Sequence, residues 1–461
     1  MAPGEDALGE VIDALRARGR FGVRLGLGRT RALLRVLGAP EAGLRGALIA
    51  GTNGKGSVQA MVGSVLMAGG LRVGQMPKPH LVEYRERIAI DGRLMAPSDF
   101  AAALQAALAA SEEVAARHGA PTEFEVLTAA AFLAFHRAGV EVAVVEVGLG
   151  GRLDATNAWD GGVAAVTNVA LDHMAYLGSS LTAIGREKAG IIKRGDRAVT
   201  GASGEGLAPI RRRAARLGVP LAIVEPALVL GMDRAGLRVR LDSLGDVRLR
   251  LLGRHQAANA AVAAAIIDAL REAGIADVSR DAVRAGLAGA RWPGRLELLA
   301  LRSDGRAGPA AVDGADPDAP DVLLDGAHNP AGVQAFVQAL DELRPSLSPG
   351  RPTLLLGLMS DKDVAGMVEG LAGSEALRGA RIITTRIDAP RAMPATDLAS
   401  AWRAAADIRA GHEVVARETV EAALDEALGS VRRDGGPLLV AGSLYLVGAV
   451  RGRLVDTDDR M

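Results

Sequence analysis

The sequence contains no cysteine, which excludes disulfide bonds and metal sites built from thiolates. A reducing, cytoplasmic setting is therefore expected. Aromatic residues make up only 3% of the chain. Neither sign of charge is in excess, because 54 Lys and Arg residues balance 54 Asp and Glu residues. This balance argues against a protein that binds nucleic acid through bulk charge.

Long apolar runs are also lacking. The Ala-rich stretches, such as AAALQAALAA at 101–110, are too short to cross a bilayer. The first residues, MAPGEDALGEVIDAL, are acidic and lack the basic and apolar regions of a secretory signal. We therefore expect neither a membrane partner nor a secreted protein.

The chain does contain enough apolar residues, 49% of 461, for more than one core. Apolar strand patterns at 46–50, 140–148 and 163–170 alternate with helical patterns, which predicts a parallel sheet covered on both faces. A Gly-, Pro- and Asp-rich segment at 300–321 is read as a loop or domain boundary, and strand–helix alternation resumes after it. The predicted fold is α/β, with an N-terminal P-loop ATPase domain and a smaller, Rossmann-like C-terminal domain.

The segment GTNGKGS at 51–57 directly follows the apolar run ALIA. A strand, a glycine-rich turn and a helix form the usual cradle for a phosphate, with backbone N–H groups facing the anion. Lys55 can reach the terminal phosphates, and Ser57 can offer its hydroxyl to Mg²⁺. We predict that the whole loop binds ATP: Gly51, Thr52, Asn53, Gly54, Lys55, Gly56 and Ser57. The spacing differs from the common pattern, so the loop alone leaves an ATPase, a kinase, a ligase, a GTP switch or a plain turn open.

Nine further segments occur in order along the chain: PHLVEYRERI, FEVLTAAAF, EVGLGGRLDATN, LDHMAYLG, IGREKAGIIK, PGRLE, LDGAHNP, SDKD and GSLYLVG. Together they resemble folylpolyglutamate synthases and dihydrofolate synthases, which are ligases of the Mur type. The resemblance implies that ATP converts a carboxylate of a folate or dihydropteroate into an acyl phosphate, which the amino group of L-glutamate then attacks. It also implies a Mur-type ATP-binding domain over 1–298 and a ligase domain over 299–461.

The same resemblance implies two Mg²⁺ sites at the carboxyl ends of the strands. Ser57 and Glu146 would hold one ion, and Glu146 and His173 would share the second. Lys188 matches a lysine that is carbamylated in the family. A carbamate is an oxygen ligand of the kind Mg²⁺ prefers, whereas an ammonium would repel the ion. Without the family, an ordinary helix-face ion pair with Glu187 or a neighbour would be the expected explanation of Lys188.

For ATP, the resemblance adds Asn259 on the adenine side, Arg295 near the phosphates and Asp325 at the ribose. His328 is expected near the same nucleotide, and a catalytic role is predicted for Lys55, His173, Lys188, Arg295 and His328. On the acceptor side, the expected substrate residues are Arg29, Thr30, Thr122, Phe124, Asp154 and Ala155. L-Glutamate is expected in the second domain, near His328 and Ser443. Phe124 could stack on a pterin ring, but it could also be a core residue at a helix start.

One position departs from the family pattern. Relatives often have a serine where this chain has Lys78, in PKPHL. An ammonium cannot coordinate Mg²⁺. Our hypothesis is that Lys78 contacts phosphate or replaces part of the charge of the first ion. The alternative is that Lys78 points to solvent and a water replaces the serine.

Two other functions stay open on the sequence. One is a Mur-type ligase that adds a different amino acid to another precursor, and the other is a nucleotide-dependent switch. The sequence does not separate dihydrofolate synthase from folylpolyglutamate synthase activity. We expect a monomer that acts on small molecules.

Overall fold

The protein was analysed as a computed structural model, which describes residues 5–19, 22, 24–316, 318–405 and 411–456. Within these residues, no helix combines the length and the apolar character that a membrane span needs. The chain divides into two compact units. The first comprises Met1–Leu228, Leu241–Val247 and Ala257–Ala290, and the second comprises Val229–Arg240, Arg248–Gln256 and Arg291–Met461.

The first unit is built on an eight-stranded sheet with the order β4-β3-β2-β5-β1-β6-β7-β8. Its strands are β1 Arg45–Ala50, β2 Val73–Met76, β3 Ala89–Ile90, β4 Arg93–Leu94, β5 Val142–Glu146, β6 Gly162–Val166, β7 Arg197–Thr200 and β8 Leu221–Ile223. The six neighbouring strands β2, β5, β1, β6, β7 and β8 pair in parallel, and the short β3 and β4 pair antiparallel at one edge. The central strands β1, β5 and β6 are apolar and buried over most of their length, as expected where both faces of a sheet are covered.

In the described part of the chain, ten helices belong mainly to this unit. They are α1 Glu5–Arg16, α2 Gly28–Val36, α3 Lys55–Ala68, α4 Pro97–His118, α5 Glu123–Arg137, α6 Met174–Leu177, α7 Leu181–Ala189, α8 Gly204–Leu217, α9 Gln256–Glu272 and α10 Arg280–Gly289. Helix α5 begins where Thr122 and Glu125 form a reciprocal capping box, which satisfies two backbone N–H groups at the helix start. The phosphate-loop prediction of a strand followed by a helix is confirmed by β1 and α3.

The second unit contains a seven-stranded sheet with the order β13-β12-β14-β18-β15-β16-β17. Its strands are β12 Glu297–Leu301, β13 Ala307–Pro309, β14 Asp321–Leu324, β15 Thr353–Leu356, β16 Arg381–Thr385, β17 Glu413–Arg417 and β18 Leu438–Ala441, and its helices are α11 Pro330–Leu343, α12 Val364–Ala372, α13 Ala395–Ala405, α14 Val420–Asp434 and α15 Leu444–Leu454. A separate three-stranded sheet contains β9 Leu228–Asp233, β10 Gly236–Leu241 and β11 Gly245–Leu249. Each unit has its own buried apolar core, so the predicted α/β architecture is confirmed.

The segment at 300–321 differs from the expected loop. It includes β13, which pairs antiparallel with β12, and the turn between them closes through a hydrogen bond from the N–H of Gly305 to the carbonyl of Arg302. Gly305 has a φ of +86°, a conformation that glycine adopts without strain. Glycines read as a sign of a loop therefore mark a hairpin, and the segment lies inside the second unit. A functional boundary near residue 298 stays a prediction.

Candidate active site

The predicted phosphate loop joins the end of β1 to the start of α3. Gly54 is the residue before the helix and has a φ of +81°, which favours glycine. The side chain of Lys55 folds back over the loop. Its Nζ donates to the carbonyl oxygens of Gly51 and Thr52, each at 3.1 Å, and lies 3.9 Å from Oε1 of Glu146. The lysine ammonium is thus held over the loop, where it can contact an anion bound there.

Two residues that the sequence analysis missed shape this loop from the neighbouring strand. Thr167 directly follows β6, and its Oγ1 donates to the carbonyl of Asn53 at 2.7 Å. The amide oxygen of Asn168 accepts the N–H groups of Thr52 at 3.2 Å and Asn53 at 2.9 Å. A polar Thr-Asn pair directly after an apolar strand is the sequence pattern that could have identified both residues. Parallel strands end at the same edge of a sheet, so this pair is expected near the phosphate loop.

We expect Thr167→Val to raise the KM for ATP about tenfold, because it removes a buried hydrogen bond while it keeps the shape of the side chain. Thr167→Ser, which retains the hydroxyl, is the matched control and should leave that KM within about twofold of the wild type. Steady-state kinetics at saturating co-substrates measures both. Equal KM values for the two variants would show that the hydroxyl does not hold the loop.

Two of the loop glycines, Gly51 and Gly54, cannot accept a side chain without displacing a neighbour. A Cβ on Gly51 would lie 1.8 Å from Oγ1 of Thr167, and a Cβ on Gly54 would lie 2.2 Å from Oδ1 of Asn259. The structure therefore places Asn259 directly beside the loop. This position agrees with a contact to the nucleotide, while the adenine contact itself stays a prediction.

A pocket beside the loop brings three predicted catalytic residues together. It is lined by Lys55, His173 and Lys188, together with backbone from the loop and from the segment that follows β5. Lys188 is only 3% exposed. Burial, together with the nearby charge of Lys55, lowers the pKa of Lys188 to about 7, against a smaller opposing effect of Asp172. A substantial fraction of this amine is therefore neutral near pH 7.

The predicted metal ligands lie at the same edge of the sheet. Ser57 and Glu146 are each 5% exposed, and Glu146 ends β5 in register with Ile49 of β1. The side chain of His173 is half exposed, with Nε2 at 3.8 Å from Oδ2 of Asp172. A hydroxyl, a carboxylate and an imidazole fit a divalent cation chemically. Across the described ranges, however, no three His, Asp or Glu side chains converge as a metal site, so the ligand set stays a prediction.

The acceptor-side residues have clear structural roles. Thr122 caps α5, and Arg29 donates from Nε to Oε2 of Glu125 at 2.9 Å. Both carboxylate oxygens of Asp154 already accept protein hydrogen bonds, one from the N–H of Leu149 and one from Thr156. Thr30 and Ala155 are buried. Their predicted contacts with a pterin compound remain untested.

Lys78 does not point to solvent, so that alternative is wrong. Its Nζ lies 4.2 Å from the centroid of the Phe124 ring. A Cβ on Gly148 would lie 2.7 Å from the same Nζ, so the ammonium lies beside Gly148, a residue that lines the pocket. One face of Phe124 is therefore covered, and stacking of a pterin on this ring could use only the opposite face.

The segment after Lys78 is held in place by hydrogen bonds. The carboxylate of Glu86 accepts the N–H groups of Leu81, Val82 and Glu83. Tyr84 is 8% exposed and donates from its hydroxyl to Oε1 of Glu123 at 2.7 Å. These bonds hold the segment against the start of α5, beside the ring that Lys78 covers.

In the second unit, Asp325 follows β14 and is buried. Its Oδ2 accepts the N–H of Leu296 and its Oδ1 accepts the N–H of Ala327, each at 2.8 Å. Burial raises the pKa of Asp325, although Arg295 and both hydrogen bonds act in the opposite direction. The structure thus brings Arg295 near Asp325. Both oxygens already bind backbone, and the ribose contact stays a prediction.

The other predicted residues of this unit lie at helix starts or turns. Nδ1 of His328 is 2.7 Å from the carbonyl oxygen of Gly326. Ser443 is the residue before α15, where its Oγ accepts the N–H of Tyr445 at 3.2 Å. Ser443 therefore already caps a helix, and its role toward a substrate is untested.

Two domains of the Mur ligase family match this chain. Residues 49–267 match the Mur ligase middle domain, and residues 312–444 match the Mur ligase glutamate ligase domain. The dihydrofolate synthase/folylpolyglutamate synthase of Bacillus subtilis is 32% identical over 95% of this chain and 97% of its own length. The chain belongs to the folylpolyglutamate/dihydrofolate synthase family of Mur ligases.

Solved structures of this family agree with the fold. The Mycobacterium tuberculosis folylpolyglutamate synthase complexed with ADP and AMPPCP has a TM-score of 0.81 and 32% identity, covering 97% of this chain and 98% of that one. The bifunctional Yersinia pestis enzyme of the family, complexed with AMPPNP and Mn, has a TM-score of 0.76 and 29% identity, with coverage of 97% and 98%. Nucleotide and a divalent metal are thus bound by relatives with the same fold.

Proposed function

We propose that this protein is an ATP-dependent ligase that adds L-glutamate to the carboxylate of a folate or of dihydropteroate. The observation that carries the proposal is the pocket in which Lys55 of the phosphate loop meets His173 and Lys188. Membership in the folylpolyglutamate/dihydrofolate synthase family supports the choice of substrates. The proposal includes both acceptors, as the names of several relatives do.

The reaction needs activation, because a carboxylate is a poor electrophile. A carboxylate oxygen attacks the γ-phosphorus of ATP. The bond between the γ-phosphorus and the oxygen that bridges it to the β-phosphate breaks, and ADP leaves. The amine of glutamate then attacks the acyl carbon of the acyl phosphate, loses a proton and displaces inorganic phosphate. Lys55 is held over the loop, where its ammonium compensates negative charge on the transferred phosphate. Enzymes that transfer phosphoryl groups obtain most of their rate enhancement from positioning and from stabilising this charge.

Mg²⁺ fits the residues at this edge of the sheet. Ser57, Glu146 and His173 would hold it, and the bound ion would supply positive charge to the phosphates. We propose further that Lys188 is carbamylated. Its buried amine, neutral above a pKa of about 7, forms a bond to the carbon of CO₂ and releases a proton. The resulting carbamate adds an oxygen ligand where an ammonium would repel the metal.

The remaining predicted contacts belong to the same proposal. Asn259, Arg295 and Asp325 contact ATP, and His328 and Ser443 serve the glutamate side. Arg29, Thr122, Phe124 and Asp154 line the acceptor side. A monomer located in the cytoplasm is part of the proposal as well.

The test is ADP formation by purified protein with ATP, Mg²⁺ and L-glutamate, with dihydropteroate and tetrahydrofolate supplied separately. We expect ADP release that requires glutamate together with at least one of the two acceptors. Activity with another amino acid in place of glutamate would favour a different Mur-type ligase. ATP hydrolysis that is independent of every acceptor would favour a nucleotide switch. Mass spectrometry of the product distinguishes one added glutamate from several.

A further inference from the structure

Lys78 has surroundings that the proposed function does not yet explain. Among the residues that the structure describes, its Nζ makes no hydrogen bond or ion pair, and it lies against the face of the Phe124 ring, 4.2 Å from the centroid. An ammonium has three N–H donors. A contact with an aromatic face stabilises the charge but does not replace those hydrogen bonds. A partly buried ammonium in this state is stabilised by an anionic ligand.

The position of Nζ indicates where such a ligand would lie. Gly148 is so close that a Cβ there would be 2.7 Å from Nζ and also 2.7 Å from the Phe124 ring. Gly148 lines the pocket that contains Lys55 and Lys188. Lys78 therefore reaches the edge of this pocket from the side of Phe124, whereas Lys55 reaches it from the phosphate loop.

The charged groups around Lys78 are compatible with an anion bound to its ammonium. Burial has the largest effect on Lys78 and lowers its pKa. Of the charged neighbours, Asp154 and Glu146 attract the ammonium, and Arg87 and Lys55 repel it. Asp154 has the largest of these electrostatic effects, and its oxygens already accept hydrogen bonds from Leu149 and Thr156. Neither carboxylate forms an ion pair with Lys78, so the N–H donors of the Lys78 ammonium are available to a ligand.

We propose that the Lys78 ammonium binds the carboxylate of the acceptor and holds one of its oxygens toward the phosphate that Lys55 binds. The inference rests on the proposed function. It assigns Lys78 to the acceptor, in place of a role in metal or phosphate binding. The attacking group in the first step is anionic and must approach another anion. A second cation at the pocket edge reduces that repulsion and orients the oxygen.

The experiment compares wild-type protein with Lys78→Met, which keeps the length and apolar contact of the side chain but removes its charge and donors. Lys78→Gln is a second variant, in case methionine disturbs folding. Lys193→Met is the matched control, because Lys193 is also partly buried in this unit but donates from Nζ to the carbonyl of Trp159 at 2.8 Å. Thermal unfolding confirms that each variant is folded.

Two readouts are measured. In steady-state kinetics, we expect Lys78→Met to raise the KM for the acceptor about tenfold, as loss of a hydrogen bond to a charged group does, and to change the KM for ATP less than about twofold. In equilibrium binding without ATP, the probes are pteroate and the same compound with hydrogen in place of the carboxylate. The preference of wild-type protein for pteroate should fall about tenfold in the variant, and Lys193→Met should retain it.

The outcomes separate this inference from the proposed function. An active wild type together with an unchanged acceptor KM in both Lys78 variants overturns the inference alone. A rise in the KM for ATP or in the Mg²⁺ requirement, without a change for the acceptor, also overturns it and assigns Lys78 to the phosphates. A folded wild type that forms no ADP with glutamate and either acceptor overturns the proposed function and this inference together.

Discussion

Lys188→Met should lower glutamate-dependent ADP formation on the order of 1000-fold, because it removes the proposed carbamate ligand beside the phosphate loop. Lys188 is 3% exposed and shares a pocket with Lys55 and His173. A methionine fills the same space but supplies no oxygen to a metal. Lys193→Met, which changes another lysine of the same unit outside the pocket, should keep activity within about threefold of the wild type.

The carbamate itself can be detected. After incubation with ¹³C-labelled bicarbonate, wild-type protein and Lys193→Met should each show a carbamate signal in ¹³C NMR, and Lys188→Met should lack it. A carbamate signal that persists in Lys188→Met would place the modification elsewhere. Full activity of Lys188→Met would contradict a role for this residue in the reaction.

The same substitution should stabilise the fold. The pKa of Lys188 is about 7 in the folded protein, against an ordinary lysine value of 10.5, so the unfolded chain binds this proton more tightly. The cost of burying Lys188 is therefore greatest below pH 7 and falls as the pH rises toward 10.5. In CO₂-free buffer, the gain in unfolding free energy from Lys188→Met should be about 3 kcal/mol larger at pH 6 than at pH 9. Denaturant titration at both pH values measures this difference.

Gly54→Ala should destabilise the protein and lower its activity at least about 100-fold, since a small displacement of catalytic groups has an effect of this size. Gly54 has a φ of +81°, and an added Cβ would lie 2.2 Å from Oδ1 of Asn259. The methyl group would displace either the loop or the asparagine. Lys55, the next residue, would move with the loop.

Gly70→Ala is the matched control. Gly70 has nearly the same φ, +83°, but a Cβ there would meet nothing within 4 Å. Both substitutions carry the conformational cost of a left-handed alanine, about 1 kcal/mol. Only Gly54→Ala adds the contact with Asn259. Equal losses of stability and activity in the two variants would mean that the contact with Asn259 has no consequence.

Local sequence patterns predicted the architecture well. An apolar run followed by glycines and a mostly apolar helical segment is typical of the strand, loop and helix seen at β1 and α3. Motifs spread along the chain then indicated the family that the comparisons confirm. The prediction was less successful at 300–321, because glycine and proline mark tight hairpins as well as loops, and only the pairing of β13 with β12 distinguishes the two.

The sequence by itself determined the α/β class, the position of the phosphate loop and the residue types available for chemistry, since these depend on neighbours along the chain. The tertiary structure decided which side chains act together. Thr167 holds the loop from 114 positions away, Lys188 acquires its lowered pKa from burial beside Lys55, and Lys78 lies on the ring of Phe124. Burial and contacts between distant segments exist only after folding, so no local pattern could specify them.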